Sequence, residues 1–413
     1  MFELKGEDII VYDNKGLLEY LQKYGKYGYD TKLAKQESDK RKRLVFDFTD
    51  FISRQSLWDI TKNKLFASIE HIDVNPDNPN YKSIDGIVYS LDETKVILCP
   101  QGRKGKVIIR DGVECISQAA FRHTQISEIV FPESLKQISA HAFANCMNLT
   151  SLKCNDGLEF IGAYAFIECT HIQDVYLGKS LKSIKEYAFS SNNALTQITF
   201  PYGLKKIEKD AFGNSIMDEV FIPDSVNEIG IASFTGTKNL HAKTYNKSVL
   251  NACTITMTSN YLRLISCASE YVVLHIGDEI QPVVVPRYIS EDGAREVDMY
   301  IKRFLTNNDI SNLMLFYKYG NDAVCQEHTA IIMCKIYKQA SAARTFLTKS
   351  AKRMAERVNN EDDMIKLIDV HDWSAIALKR ILEVSQQRKY SVASAYVLEK
   401  IKNKTKSNQN LHL

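Results

Sequence analysis

Six phenylalanines, Phe121, Phe143, Phe166, Phe189, Phe212 and Phe234, recur at spacings of 22, 23, 23, 23 and 22 residues. Each closes one short pattern: a branched aliphatic residue, two variable residues, Ile, three variable residues, a small residue, then Phe. The instances before each Phe are Val113-Ile116-Ala120, Leu135-Ile138-Ala142, Leu158-Ile161-Ala165, Leu181-Ile184-Ala188, Leu204-Ile207-Ala211 and Val226-Ile229-Ser233. A fixed period of this length marks a solenoid, whose units close a core only by stacking on their neighbours. Stacked at the spacing of parallel strands, about 4.8 Å, the six rings form one continuous column. The small residue before each Phe is expected where the backbone turns tightly beside the ring.

Each unit also has an earlier half. Leu149, Leu152 and Cys154 precede Leu158, and Ile172, Val175 and Leu177 precede Leu181. The same frame gives Leu195-Ile198-Phe200 and Met217-Val220-Ile222. The last two apolar positions of each alternate with polar ones, the period of a strand with one buried face. Pro132, Pro201 and Pro223 follow and end the strand, because proline lacks the N–H that a ladder needs.

This pattern resembles the BspA-type leucine-rich repeats. Their signature joins an Ile/Leu-rich strand, often a Pro, the aliphatic–x–x–Ile–x–x–x–Ala–Phe segment, and often Cys or Asn three residues on. Thr124, Cys146, Cys169, Asn192, Ser215 and Thr237 hold that last position here. The resemblance covers about residues 65–240. A second hallmark is the hairpin expected over residues 75–100, with Asp85-Gly86 as a turn. The resemblance implies a curved solenoid used for binding, of a kind many bacterial surface proteins carry. Residues 391–400 also resemble, over that short span, the closing helix of ankyrin-like tails.

The rest of the chain gives an α+β protein: a leucine-rich repeat solenoid with a parallel β-sheet, an N-terminal α/β cap and a C-terminal α-helical domain. The expected divisions are residues 1–64 as the cap, 65–250 as the solenoid, 251–290 as a degenerate β end-cap and linker, and 291–413 as the helical domain. In the cap, Ile9–Tyr12 and Leu44–Phe48 read as strands, and Leu17–Tyr24 as a helix stopped by Gly25. Ile69, Ile72 and Val74 read as the first repeat strand. After Phe234 the repeat decays: Leu240 keeps the first position, while Lys243 takes a core site. From Glu291 the apolar period becomes helical, in runs ending with Ser391–Lys402; residues 402–412 read as frayed.

At 413 residues the chain can hold two or three domains. A net charge of +3 is too small to argue for a nucleic-acid partner. The basic excess beyond Glu291 is spread along helices, as on a solvated face. No apolar run is long enough to span a membrane. The first residues lack a basic region followed by an apolar core, so no secretory signal is seen and a cytoplasmic location is expected, with cell surface or secretion as the alternative. Of the nine cysteines, Cys146 and Cys169 share one repeat position and Cys154 takes a strand core position, so they read as small buried thiols of a reducing compartment. Lys40-Arg41-Lys42-Arg43 could be an anion patch or import signal, but reads first as a solvated loop.

No phosphate loop, nucleophile elbow or paired zinc-ligand motif occurs. Cys325, His328 and Cys334 come nearest to a metal cluster, but Cys334 lies off the helical face of the other two. No catalytic residue, metal or cofactor is therefore assigned. The informative surface is the outer face of the strands. One outward column holds Glu128, Asp174, Gln197 and Glu219; the next holds Lys153, Tyr176 and Phe221. Exposed aromatics are enriched at interface hot spots. These seven residues are the candidate contacts for a protein partner of unknown identity, in a non-enzymatic binding scaffold of unknown oligomeric state. The rival readings are a bacterial adhesin and a signalling or enzymatic module in the C-terminal helices.

Overall fold

The computed structural model describes residues 1–24, 36, 39–256, 269–278 and 281–409. They form two compact units, one built on residues 1–254 with 275–278, the other on residues 255–256, 270–274 and 281–409. Parallel strands of the repeat type and a helical C-terminal region make the fold α+β.

The first unit opens with a four-stranded sheet. Phe2–Lys5 runs antiparallel to Asp8–Val11, which is followed in parallel by Arg43–Phe46 and His71–Val74. Ile9, Val11, Leu44, Phe46 and Ile72 bury one face of it together with Leu17, Tyr20 and Ile60. Ile72 and Val74 thus belong to the cap sheet, not to the first repeat strand. The helix Arg54–Lys62 was not anticipated; Ser53 caps it, its hydroxyl accepting from the Ser56 amide at 2.9 Å. The basic run is largely consumed by this sheet. Arg41 donates to the Gly6 carbonyl at 2.5 Å, Lys42 pairs with Glu70, and Arg43 pairs with Asp8 and Asp73. The hairpin follows as Tyr81–Ile84 against Ile87–Ser90, with Lys95–Leu98 as a third antiparallel strand.

Two ladders, not one, run along the repeats. The segment ending in the conserved-pattern Ile makes a two-residue strand in every coil. Cys115–Ile116, Gln137–Ile138, Phe160–Ile161, Ser183–Ile184, Lys206–Ile207 and Glu228–Ile229 pair in parallel, in register, Ile on Ile. Joined to the hairpin through Lys95–Leu98, they form one nine-stranded sheet. The earlier halves form the second ladder, and this one is broken. Lys104–Ile108 pairs with Gln125–Val130, Ser151–Lys153 with Asp174–Tyr176, and Glu219–Ile222 with Asn239–Ala242. Thr196–Phe200 makes only the bridge Tyr176–Thr199. Nothing in the local sequence, rich in β-branched and aromatic residues, explains that interruption.

The phenylalanine column is present. The five successive ring pairs from Phe121 to Phe234 are stacked at 4.8, 5.1, 5.1, 5.2 and 5.6 Å, and all six rings are fully buried. The tight turn does not fall on the small residue beside the ring. It falls two residues to either side: His141, Tyr164 and Tyr187 before, Asn145, Glu168 and Ser191 after, all with φ between +55° and +62°. Left-handed backbone is unfavourable for such residues. It is stabilised here because each amide reaches the next coil, as from Tyr164 to the Glu186 carbonyl and from Glu168 to the Ser190 carbonyl.

The position three residues past each Phe is a buried donor column. Cys146 Sγ donates to the Phe121 carbonyl, Cys169 Sγ to that of Phe143, Asn192 Nδ2 to that of Phe166, and Ser215 Oγ to that of Phe189, at 2.8–3.0 Å. Cys, Asn and Ser share the site because each can donate in a space closed to water. Asn192→Ala leaves the Phe166 carbonyl without this donor. The expected loss is about 1–3 kcal/mol, against a smaller loss for Asn192→Ser, read from denaturant midpoints at unchanged m.

A second stack runs beside the first. His141, Tyr164 and Tyr187 lie face to face at 4.8 Å in each step. His141 is held below the usual imidazole range by burial and, next, by Arg122. A histidine depressed in the folded state contributes stability that is present above its unfolded pKa, about 6.5. That contribution is lost as pH falls from there through the folded value, because the unfolded chain takes up the proton first. His141→Tyr extends the tyrosine stack and removes the titration. Its melting temperature should fall less than the wild type's between about pH 7 and pH 5; equal slopes would exclude His141 as an acid-labile point.

The frame ends differently from expectation. Val220 pairs with Leu240, so Leu240 sits at the second core position and Ala242 at the third. The last coil is shorter, and Lys243 is exposed and paired with Asp224. In the second unit, Glu291–Asn307, Ala323–Ile336, Ser341–Glu356, Glu361–Asp369, Ala375–Gln387 and Ser391–Gln409 are helices, with Leu313–Tyr319 a 3-10 turn. Ser290, Asp322, Asn360 and Ser374 cap four of them. The last helix runs on to Gln409 where fraying was expected. Buried Glu327 takes two hydrogen bonds from Arg353, at 2.9 and 2.6 Å, and one from Arg357, tying two helices together.

Candidate protein-binding face

The broken ladder positions the candidate residues. Its register is as expected: Lys106 lies beside Glu128, Ser151 beside Asp174, Lys153 beside Tyr176, and Tyr176 beside Thr199. Leu152, Ile198 and Val220 point inward and are buried. Tyr176 and Phe221 point outward, 49% and 58% exposed.

The structure gathers four of the seven candidates in one place. Lys153, Asp174, Tyr176 and Gln197 line a hollow of about 670 Å³ floored by Leu152, Val175 and Ile198. It lies where Thr196–Phe200 leaves the ladder. That segment joins the ladder only through the bridge between Tyr176 and Thr199. Lys153 also borders a smaller hollow of about 290 Å³ with Glu128, at the other break, between Gln125–Val130 and Ser151–Lys153. Among the described residues, neither Lys153 nor Asp174 is in an ion pair. Glu128 pairs with Lys106 at 2.8 Å.

Tyr176 is held in place. Its hydroxyl donates to Asp156 Oδ1 at 2.5 Å, and Lys179 meets the other carboxylate oxygen at 2.5 Å. Lys179 first, then Tyr176, holds the Asp156 carboxyl below its ordinary range. A ring fixed by its own hydroxyl loses little freedom when a partner covers it.

Glu219 and Phe221 lie apart from the hollow, in a second patch that sequence reading missed. The Phe221 ring stacks on His241 at 4.2 Å, and His241 on His275 at 4.2 Å. Glu219 accepts from His241 at 2.7 Å. Burial and then His241 push the His275 imidazole down. The signal was available: His241 is the outward neighbour of Leu240 once the shortened coil is recognised.

The other sequence candidates have structural roles. Cys325 Sγ donates to the Glu270 carbonyl at 3.1 Å, and burial raises its thiol to about 11. His328 is exposed. Among the described residues, no group of three or more His, Cys, Asp or Glu could hold a metal ion. The eight described cysteines are free thiols, and Cys154 is pushed up to about 12 by burial. No described helix is long and apolar enough to cross a membrane.

Residues 114–241 match the family model of the BspA type leucine rich repeat region, in 6 copies. The stacked coils are therefore BspA-type repeats. Several solved structures are similar. A leucine-rich repeat protein from Bacteroides ovatus ATCC 8483 is 20% identical, with a TM-score of 0.36, over 51% of this chain and 51% of that one. A leucine rich cell surface protein from Faecalibacterium prausnitzii A2-165 is 20% identical, with a TM-score of 0.36, over 53% and 56%. The pneumococcal vaccine antigen PcpA is 17% identical, with a TM-score of 0.34, over 58% and 60%. The chain thus spans between half and three fifths of the lengths of these proteins. No curated protein sequence matches it.

Proposed function

We propose that this chain is a non-enzymatic scaffold that binds a protein partner through the broken strand face of its repeats. The four-stranded sheet ending at Val74 serves as the cap, the coils that follow it as the repeat body, and residues 291–413 as a helical domain. One observation carries the reading: the exposed Tyr176 ring, fixed by Asp156, at the rim of a hollow whose Lys153 and Asp174 have no ion partner among the described residues. Anchor, hollow and unpaired charges of both signs are what a protein surface can complement. The test is affinity purification from the native cell with the full chain and with Lys153→Glu/Asp174→Lys. The reversed pair should retain the partner at least about tenfold less well. Equal retention would move the site off this face.

The resemblance to repeats of bacterial surface proteins favours a second version of the same reading, in which the scaffold acts at the cell surface rather than in the cytoplasm. Protease treatment of intact cells separates the two. Loss of the protein signal places it outside; survival until lysis places it inside.

A further inference from the structure

The two ladders leave a second groove, far in sequence from Tyr176. Phe51, Arg54, Leu57 and Trp58 form one wall; the start of the nine-stranded sheet forms the other, and the groove has a volume of about 950 Å³. That is at the upper end of ligand-pocket sizes. Its origin can be read from one repeat position. The residue after each ladder Ile is Ser117, Ser139 and Gly162 in the first three coils, Lys185 and Glu208 in the next two, which ion-pair at 2.8 Å, and Gly230 in the sixth. Small residues thus leave space in the first three coils, beside the helix Arg54–Lys62.

The chemistry of the lining is selective. Phe51 is 57% exposed and packs on Tyr81 at 5.3 Å, leaving an apolar shelf. Arg54 and Lys95 line the groove and are exposed; among the described residues neither is in an ion pair, although Lys95 lies near enough to Asp92 to help lower its carboxyl. Lys136 reaches Glu114, the one acidic residue of the lining, only at 3.4 Å. The groove is thus net positive. Among the described residues, neither the Ser117 hydroxyl nor the Gln118 amide is hydrogen-bonded. Free donors and acceptors on the floor, an apolar shelf at one side and an excess of cations in the lining suit an extended main chain with acidic side chains and one large apolar residue.

We infer that this groove binds an acidic, extended peptide segment of a partner protein, with an aromatic or large aliphatic side chain on the Phe51–Trp58 shelf. Arg54 and Lys95 take its carboxylates. The site is separate from the strand face, so it stands or falls without the reading above.

The test uses the full chain and three fluorescent octapeptides of identical phenylalanine content, one rich in Glu, one in Gln and one in Lys, followed by polarisation. The acidic peptide should bind best, and more weakly as salt is raised. Arg54→Glu/Lys95→Glu should weaken it at least about tenfold. Ser117→Trp, which fills the floor and leaves the cations, should weaken it similarly. Tyr176→Ala/Phe221→Ala should leave it unchanged. Far-ultraviolet circular dichroism and melting curves confirm that each variant folds. Equal binding of the acidic and basic peptides, insensitivity to the charge reversal or to Ser117→Trp, or no binding below about 1 mM would overturn the inference. Dependence of binding on Tyr176 and Phe221 would also overturn it, placing the peptide on the strand face.

Discussion

Phe166→Ala is expected to destabilise the chain by about 3–5 kcal/mol, the range for truncating a buried phenylalanine. The ring is fully buried and lies between Phe143 and Phe189, 5.1 Å from each. The cavity cannot close easily. The amides of Tyr164, Phe166 and Glu168 are all bonded to the next coil, to the carbonyls of Glu186, Ala188 and Ser190, so the backbone is pinned on both sides of the gap. Residual cavity volume is what drives such losses to the top of the range. Phe234 tests the explanation from the other end. It stacks only on Phe212, at 5.6 Å, with Phe200 edge-on at 6.1 Å, so Phe234→Ala should cost less. Guanidinium denaturation of both variants measures the difference. A loss under about 1 kcal/mol for Phe166→Ala would mean that the column is not what holds the coils together.

The column was legible in the sequence because a solenoid repeats one environment, and six copies of it outvote any single irregularity. The donor position after each Phe was visible as a recurring site, though not as a ladder of bonds to carbonyls. What the sequence did not show were features without repetition. The helix Arg54–Lys62 occurs once, and its cap Ser53 is a weak local signal. The first ladder needs only two residues per coil, too few for a strand period to register. The breaks in the second ladder are not encoded in propensity at all, since Ile198, Thr199 and Phe200 suit a strand as well as Val220, Phe221 and Ile222 do. The shortened last coil misplaced Lys243 and hid His241. The candidate face was thus readable as two columns of outward residues. The hollow, the Asp156 contact and the histidine stack depend on how neighbouring coils meet, which a single repeat does not contain.

Replacing both Tyr176 and Phe221 by alanine is expected to collapse partner binding while leaving the fold nearly intact. The rings stand two coils apart on one outward column, on either side of the break at Thr196–Phe200, so the double variant removes the aromatic anchor of both patches. Truncating a true anchor typically costs about 2 kcal/mol or more, roughly a 30-fold loss of affinity for each. The folded state loses little in exchange. The Tyr176 hydroxyl bond to Asp156 is at the surface, and Phe221 gives up a stacking contact with His241 worth about 0.5–1.5 kcal/mol. Two single variants divide the face. Tyr176→Phe keeps the ring but frees it from Asp156, so a modest loss of binding would show that fixing the ring matters in itself. Phe221→Ala reports on the patch it shares with His241 and His275. Titration calorimetry against the purified partner, beside melting curves, reads both quantities. Unchanged binding in the double variant would remove the strand face as the site; a large fall in melting temperature would show that these rings support the coils instead of a partner.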